Sequence, residues 1–466
     1  MKKESHNSIL TDSQLIALPK KASFVSFLFA FTGPGMLVAV GYMDPGNWIT
    51  SVVAGANYKY LLLIAVLVSS LIAMQLQQMS GKLGLVTQMD LAQMIATKMS
   101  KKFRLFFWVI TELALMATDL AEVIGAGIAL HLLFGWSLLL SILITVFDVF
   151  LLLLLMRLGF RKIEAIVGTL IVTILVIFSY MVGLARPDGV AILSGYLPSP
   201  QLWQAPKEVS GSVLTLALGI IGATVMPHNL FLHSSLSQTR QVDYKDPKAL
   251  TTAIRFMTWD SNIQLSIAFV VNSLLLIVGA AIFYGHAQDI SAFSSMYHAL
   301  SNPKLIGQLA SPFLSTLFAV ALLASGQNST ITGTLTSEIV MKGFLNIKLP
   351  AWLLRLVTRL VALIPVIVVA FIFGTKEIIL DHILIYSQVF LSIALPFAIF
   401  PLVYFTSSKD IMGNFVNHKW NSRLAYLEAI ALTLLNIKLI LPFFKQYDIK
   451  TLTLNFSNVR VFYSND

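Results

Sequence analysis

The stretch Gly41-Tyr42-Met43-Asp44-Pro45-Gly46-Asn47-Trp48 sits in an apolar block running from about residue 22 to 56. A second stretch of the same kind, Gly222-Ala223-Thr224-Val225-Met226-Pro227-His228, interrupts the block 210–236. Both blocks are long enough to cross the ~30 Å hydrocarbon core of a bilayer as helices. Proline removes a backbone donor and crowds the preceding turn, and glycine loosens the chain further, so each block is expected to unwind at its centre. Unwound backbone at membrane depth survives only where protein or a water-lined cavity satisfies it. Ordinary proline kinks are the simpler alternative. Two breaks, each with ionisable residues beside the proline, argue for a functional site instead.

Composition agrees with a membrane chain. Of 466 residues 57% are hydrophobic and 12% charged, with a mean hydropathy of +0.80; soluble domains carry about 25% charged residues. Short alternating segments of the barrel kind are absent, so the expected class is an all-α polytopic membrane protein. The apolar blocks give about eleven spans, near 22–56, 60–80, 105–133, 137–156, 162–185, 210–236, 256–284, 311–341, 351–373, 377–405 and 424–444. A signal peptide is the competing reading for the first block, because Lys20 and Lys21 precede it. Residues 22–43 exceed the usual ~7–15-residue apolar region of such peptides and lack a convincing cleavage site, so the block is read as a retained span.

Basic residues set the orientation. Lys2, Lys3, Lys20 and Lys21, the group Lys82 to Arg104, Arg157 to Lys162, Arg240 to Arg255, Lys342 to Arg359 and Lys409 to Arg423 all fall on one side of the eleven-span scheme. They make up most of the 32 Lys and Arg, which predicts the N-terminus in the cytoplasm and the C-terminus outside a cell membrane. The +10 net charge therefore follows loops rather than a nucleic-acid-binding stripe. With no cysteine, a metal site has only oxygen, imidazole and thioether donors.

The breaks fall five spans apart, so the second set of five is expected to run upside down relative to the first. The division is a polar cytoplasmic tail over 1–21, read as poorly ordered, a first five-helix repeat over 22–185 and an extracytoplasmic connector over 186–209. A second, inverted repeat covers 210–405, then a loop and eleventh helix 406–445, and an exposed tail 446–466. Paired interrupted helices of this kind point to a binding site at the bilayer midplane.

The breaks offer a mixed donor set. Asp44 supplies a carboxylate and Asn47 an amide oxygen; Met226 supplies a thioether, and Pro227 frees the carbonyl of Ala223. Mg²⁺ and Ca²⁺ gain almost nothing from thioether sulfur, whereas Mn²⁺, Fe²⁺ and Cd²⁺ accept it. Met226 would then discriminate among metals, although a lone membrane methionine is more often packing filler. Gln388 in span ten is either a further oxygen donor or one side of an interhelical hydrogen bond. His228 and His233 follow the second break, and Glu112, Asp119 and Glu122 share a face of span three, where they fit a proton route. Arg355 and Arg359, one turn apart in span nine, either pair with these carboxylates or snorkel to the interface.

The motifs Gly41 to Trp48 and Met226-Pro227-His228-Asn229, with Gly326-Gln327-Asn328-Ser329-Thr330-Ile331-Thr332-Gly333-Thr334 in span eight, resemble the Nramp (natural resistance-associated macrophage protein) family. The resemblance extends over about residues 25–440. It implies a LeuT-like fold with discontinuous helices 1 and 6, and import of divalent transition metals, Mn²⁺ favoured, with protons. It implies metal ligation by Asp44, Asn47, Met226 and the Ala223 carbonyl, with Gln388 in some states. It also implies proton-pathway roles for Glu112, Asp119, Glu122, His228, His233, Arg355 and Arg359. Glu338 and Lys342 stand where the family pattern leads one to expect Gln and Glu, and the tail after 445 matches nothing in that pattern. No prosthetic group or nucleic-acid partner is expected; the partners are the metal ion, protons and lipid, and the working unit is a monomer. The rivals are a Mg²⁺ importer on this scaffold, a sodium-coupled amino-acid symporter and an intramembrane metalloenzyme. The first would lack the Met226 thioether, the second suits an Asp–Met pair poorly, and the third needs a tight His/Asp/Glu cluster.

Overall fold

Apolar blocks fold as helices here because a backbone in lipid must bond to itself. The computed structural model describes residues 16–17, 28, 30–145, 147–148, 160–204, 212–285, 293–345, scattered positions between 353 and 368, and 377–446. The first span is two half-helices, α1 (Pro34–Gly41) and α2 (Pro45–Tyr58). Next come α3 (Leu63–Thr87), the short α4 (Leu91–Lys98), α5 (Lys101–Phe134), α6 (Leu138–Thr145) and α7 (Phe160–Ala185). The sixth span is again split, into α8 (Val213–Val225) and α9 (Pro227–Leu236). The long helices α10 (Pro247–Phe283), α11 (Pro312–Leu345), α12 (Glu377–Ser407) and α13 (Lys419–Gln446) complete the bundle.

Among the described residues, seven helices are long and apolar enough to cross a membrane, or eight when Pro312–Leu345 is joined to Pro303–Leu309 across a 93° bend. The other three of the eleven expected spans are the split first span and the fourth and ninth. The fourth lies partly, and the ninth largely, outside the described residues.

The broken helices occupy the middle of the bundle. Half-helices α1 and α2 lie along α10, while α8 packs on α3 and α12, and α9 packs on α3, α11 and α12. Close approach is achieved by leaving side chains out: a Cβ on Gly55 would lie 2.1 Å from the Leu276 carbonyl oxygen, and one on Gly279 would lie 2.3 Å from that of Val52. Small residues at such crossings let van der Waals packing hold helices together where lipid gives no hydrophobic drive.

Two expectations need correction. The N-terminal tail is not wholly unstructured, because β1 (Ile16–Ala17) pairs in parallel with β2 (Arg240–Gln241). The connector after α9 offers an open backbone edge, and a short extended segment satisfies it. Arg240, counted by sequence among the orienting loop charges, is buried at 1% exposure. Its guanidinium donates to the carbonyls of Ala30 (3.0 Å), Phe31 (3.3 Å) and Thr32 (2.9 Å) and pairs with Glu164 at 3.3 Å. It thus fastens the chain entering α1. A count of charges cannot see this, because the partners are more than seventy residues away.

Candidate functional site

At the first break Asp44 holds an extended backbone (φ −67°, ψ 159°) and caps α2. Its Oδ1 accepts from the Asn47 N–H at 3.0 Å and its Oδ2 from the Gly46 N–H at 3.2 Å. Carbonyls left open by the unwinding find side-chain donors: Asn47 Nδ2 donates to Tyr42 O at 2.5 Å, and Trp48 Nε1 donates to Met43 O at 3.1 Å. Ser325 on α11 donates to the same Met43 carbonyl. The irregular backbone is thereby satisfied by protein, as membrane depth requires.

The second break is built differently. Met226 ends α8 and starts α9 with φ 45° and ψ 105°, a left-handed region that side chains disfavour. Such a residue costs about 1–3 kcal/mol of backbone strain. Its N–H still reaches the Gly222 carbonyl at 3.1 Å. The next residue, Pro227, has no N–H, so the Ala223 carbonyl loses its helical donor. No side chain caps α9.

The breaks meet. A Cβ on Gly41 would lie 2.3 Å from the Asn229 amide, and that amide spans the breaks, donating to Val38 O at 3.4 Å and reaching Met226 Sδ at 3.7 Å. Gln388 on α12 closes the set: its Nε2 donates to Asp44 Oδ2 at 3.3 Å, while its Oε1 has no hydrogen-bond partner. This depends on two glycines, since a Cβ on Gly46 would lie 1.8 Å from Gln388 Nε2 and one on Gly222 would lie 2.2 Å from Gln388 O. Asp44, Asn47, Ala223, Met226 and Gln388 are all at 0% exposure, so the set is sealed from solvent. Among the described residues no group of three or more His, Cys, Asp or Glu could share a metal ion. Any ion held between the breaks must therefore use amide, carbonyl or sulfur donors beside the single carboxylate.

The remaining predicted residues fall into separate clusters. His228 Nδ1 lies 3.5 Å from Thr118 Oγ1, which neighbours Asp119 on α5. Glu122 accepts from Ser329 Oγ at 2.7 Å, and Gly333 on α11 leaves room for both acids, with its absent Cβ 2.8 Å from Glu122 Oε1 and 3.5 Å from Asp119 Oδ1. His233 Nδ1 contacts Gln77 Oε1 at 3.1 Å, and Gln77 Nε2 donates to the Tyr42 hydroxyl at 2.7 Å. Glu112, two turns before Asp119, is half-buried with Oε2 unbonded. Arg355 and Arg359 lie outside the described residues. Sequence reasoning missed Tyr42, Gln77, Thr118, Ser329 and Asn229 as members of these networks. Gln77 and Asn229 carried a readable signal, each as an amide inside an apolar span. Glu338 and Lys342 form an ion pair at 2.7 Å one turn apart, so the two departures from the expected motif compensate each other.

The profile of Natural resistance-associated macrophage protein-like sequences matches residues 35–442, most of the chain. The chain belongs to the Nramp family. A relative from Latilactobacillus sakei named a divalent metal cation transporter, MntH, is 57% identical over 426 residues, covering 91% of this chain and 92% of its own. The solved structure of the Eremococcus coleocola manganese transporter, bound to an aromatic bis-isothiourea substituted compound, has 50% identity and a TM-score of 0.85. It covers 92% of this chain and 90% of that one. Mhp1, a nucleobase-cation-symport-1 family transporter, has 16% identity and a TM-score of 0.57, covering 94% and 97%. That more distant likeness speaks for the fold alone. The Nramp chain described here is accordingly a multi-pass membrane protein of LeuT-like fold.

Proposed function

We propose that this Nramp chain imports divalent transition-metal ions, Mn²⁺ first and Fe²⁺, Co²⁺ and Cd²⁺ with it, together with protons, by alternating access. The names of the relatives, a divalent metal cation transporter and a manganese transporter, support the substrate class. One observation carries the reading: the Asp44 carboxylate is bonded to Gln388, whose Oε1 is unpaired, and the second break that bears the Met226 sulfur meets the first through Asn229.

The ion enters between the broken helices and sheds most of its water. Asp44 answers its charge, and Asn47, the Ala223 carbonyl and Met226 complete the shell. Rotation of the Gln388 amide exchanges its donor contact with Asp44 for an oxygen ligand. The thioether gives Mg²⁺ and Ca²⁺ little in return for their hydration. A proton passes from Asp44 or His228 towards Asp119, Glu122 and Glu112, by way of the His228–Thr118 contact. His233 stands by on the Gln77–Tyr42 chain, and Arg355 and Arg359 serve the far end. With the N-terminus in the cytoplasm and the C-terminus outside the cell membrane, a negative interior assists entry by roughly 2.3 kcal/mol per charge per 100 mV. One chain is the working unit.

The test is Mn²⁺ entry into sealed proteoliposomes holding a metal-quenched dye and a pH dye, with excess Ca²⁺ and Mg²⁺ outside. Saturable quenching with internal acidification is expected. Entry without acidification contradicts proton coupling, and entry abolished by Mg²⁺ makes the protein a Mg²⁺ importer.

A further inference from the structure

A groove of about 750 Å³ runs along the outer wall of the bundle between α7 and α11, with none of the candidate site residues in its lining. Ala165, Gly168, Thr169, Val172 and Val176 of α7 face Leu317 of α11 across it. Val172 and Val176 are 57% and 60% exposed. The two threonines make no demand on an occupant, because Thr169 Oγ1 donates to Ala165 O and Thr173 Oγ1 to Thr169 O, each at 2.9 Å. Gly168 lets α7 pack closely on α1 beside the groove, since a Cβ there would lie 2.9 Å from Met36 Sδ.

Length and charge identify what fits. From Ala165 to Ile177 the groove follows α7 for about 18 Å at 1.5 Å per residue. One leaflet contributes about 15 Å, half of the ~30 Å hydrocarbon core. At one end stands Lys162, exposed and on the same helical face as Ala165, Thr169, Val172 and Val176. We propose that this groove is a phospholipid site: one acyl chain lies along α7, and an anionic headgroup sits against Lys162. An apolar channel with the exposed Lys162 beyond its end matches one acyl chain of a lipid whose headgroup is anionic. Because Gly168 of the groove wall approaches Met36 of α1, a chain seated along α7 lies one residue layer from a half-helix that alternating access would move; that consequence, unlike the binding, rests on the proposed transport.

The test uses the full-length protein, purified in the presence of equal phosphatidylglycerol and phosphatidylcholine, with retained lipid counted by native mass spectrometry. One phosphatidylglycerol per chain should be kept in preference to phosphatidylcholine. Lys162→Gln should reduce that preference roughly fivefold. Val172→Trp, which fills the groove, should displace the lipid, whereas Leu427→Trp on the exposed face of α13 should not. Equal retention of the two lipids by the parent, or unchanged phosphatidylglycerol in both groove variants, would mean surrounding lipid only and would overturn the site. The count needs no transport, so it stands or falls separately from the transport reading.

Discussion

The two breaks have the same position in their repeats but are held open by opposite means. At the first, Asp44 caps α2 with both oxygens, and Asn47, Trp48 and Ser325 satisfy the loosened carbonyls. At the second, no side chain caps α9, and Met226 sits at φ 45° where glycine would adopt the backbone without strain. The first break is thus stabilised by the same carboxylate that would meet an ion. The second tolerates about 1–3 kcal/mol of strain to keep a methionine at that corner. Strain retained at a buried thioether is hard to explain as packing and easy to explain as ligation. In the proposed transport the carboxylate would attract any divalent cation, and the sulfur would decide among them.

The largest expected effect tests the first half of that contrast. Asp44→Asn keeps one of the two capping oxygens of α2, so stability should fall by only about 1 kcal/mol, the worth of one hydrogen bond. Mn²⁺ uptake should nevertheless fall on the order of 100-fold or more, because a charged ligand is lost. Thermal unfolding and uptake measured on one preparation separate capping from ligation. A parallel loss of both would mean that Asp44 is chiefly structural.

A smaller effect concerns the second break. Met226→Leu preserves apolar volume, so it should change stability by less than about 1.5 kcal/mol. Mn²⁺ affinity should drop about tenfold, equivalent to about 1.4 kcal/mol. Smaller again is Gly46→Ala, whose new Cβ would fall 1.8 Å from Gln388 Nε2 and push the amide off Asp44. The Mn²⁺ concentration for half-maximal uptake should rise about fivefold, the worth of one hydrogen bond of roughly 1 kcal/mol. An unchanged value would remove Gln388 from the transport cycle. The mildest change is Ser329→Ala, which deprives Glu122 of a donor at 2.7 Å. It should alter the pH dependence of uptake while Mn²⁺ affinity stays within about twofold, as befits a residue that touches only the carboxylate route.

How much of this is readable from sequence depends on how local the physics is. Asp44 betrays itself because a carboxylate in an apolar block needs a partner, and Ala223 because Pro227 must free its carbonyl. Both arguments involve neighbours in the chain. Pro227 disfavours the α region for Met226, but the positive φ it adopts has no signature in the neighbouring residues; the two half-helices it joins both pack on α3 and α12. The Tyr42–Gln77–His233 chain joins three elements, and the contact between His228 and Thr118 joins residues 110 positions apart, so periodicity could not find either. Arg240 shows the reverse failure, in which a residue with an obvious loop signature turns inward to meet carbonyls and Glu164. The helical class and both broken spans follow from hydropathy and two prolines alone.

In the proposed transport, sulfur at the strained corner selects the metal. The most direct test compares parent and Met226→Leu proteoliposomes for Mn²⁺ uptake against rising external Ca²⁺. The parent should be indifferent to a large Ca²⁺ excess, and the variant should be inhibited. If the variant excludes Ca²⁺ as well as the parent does, Met226 is packing and selectivity resides in the oxygen donors.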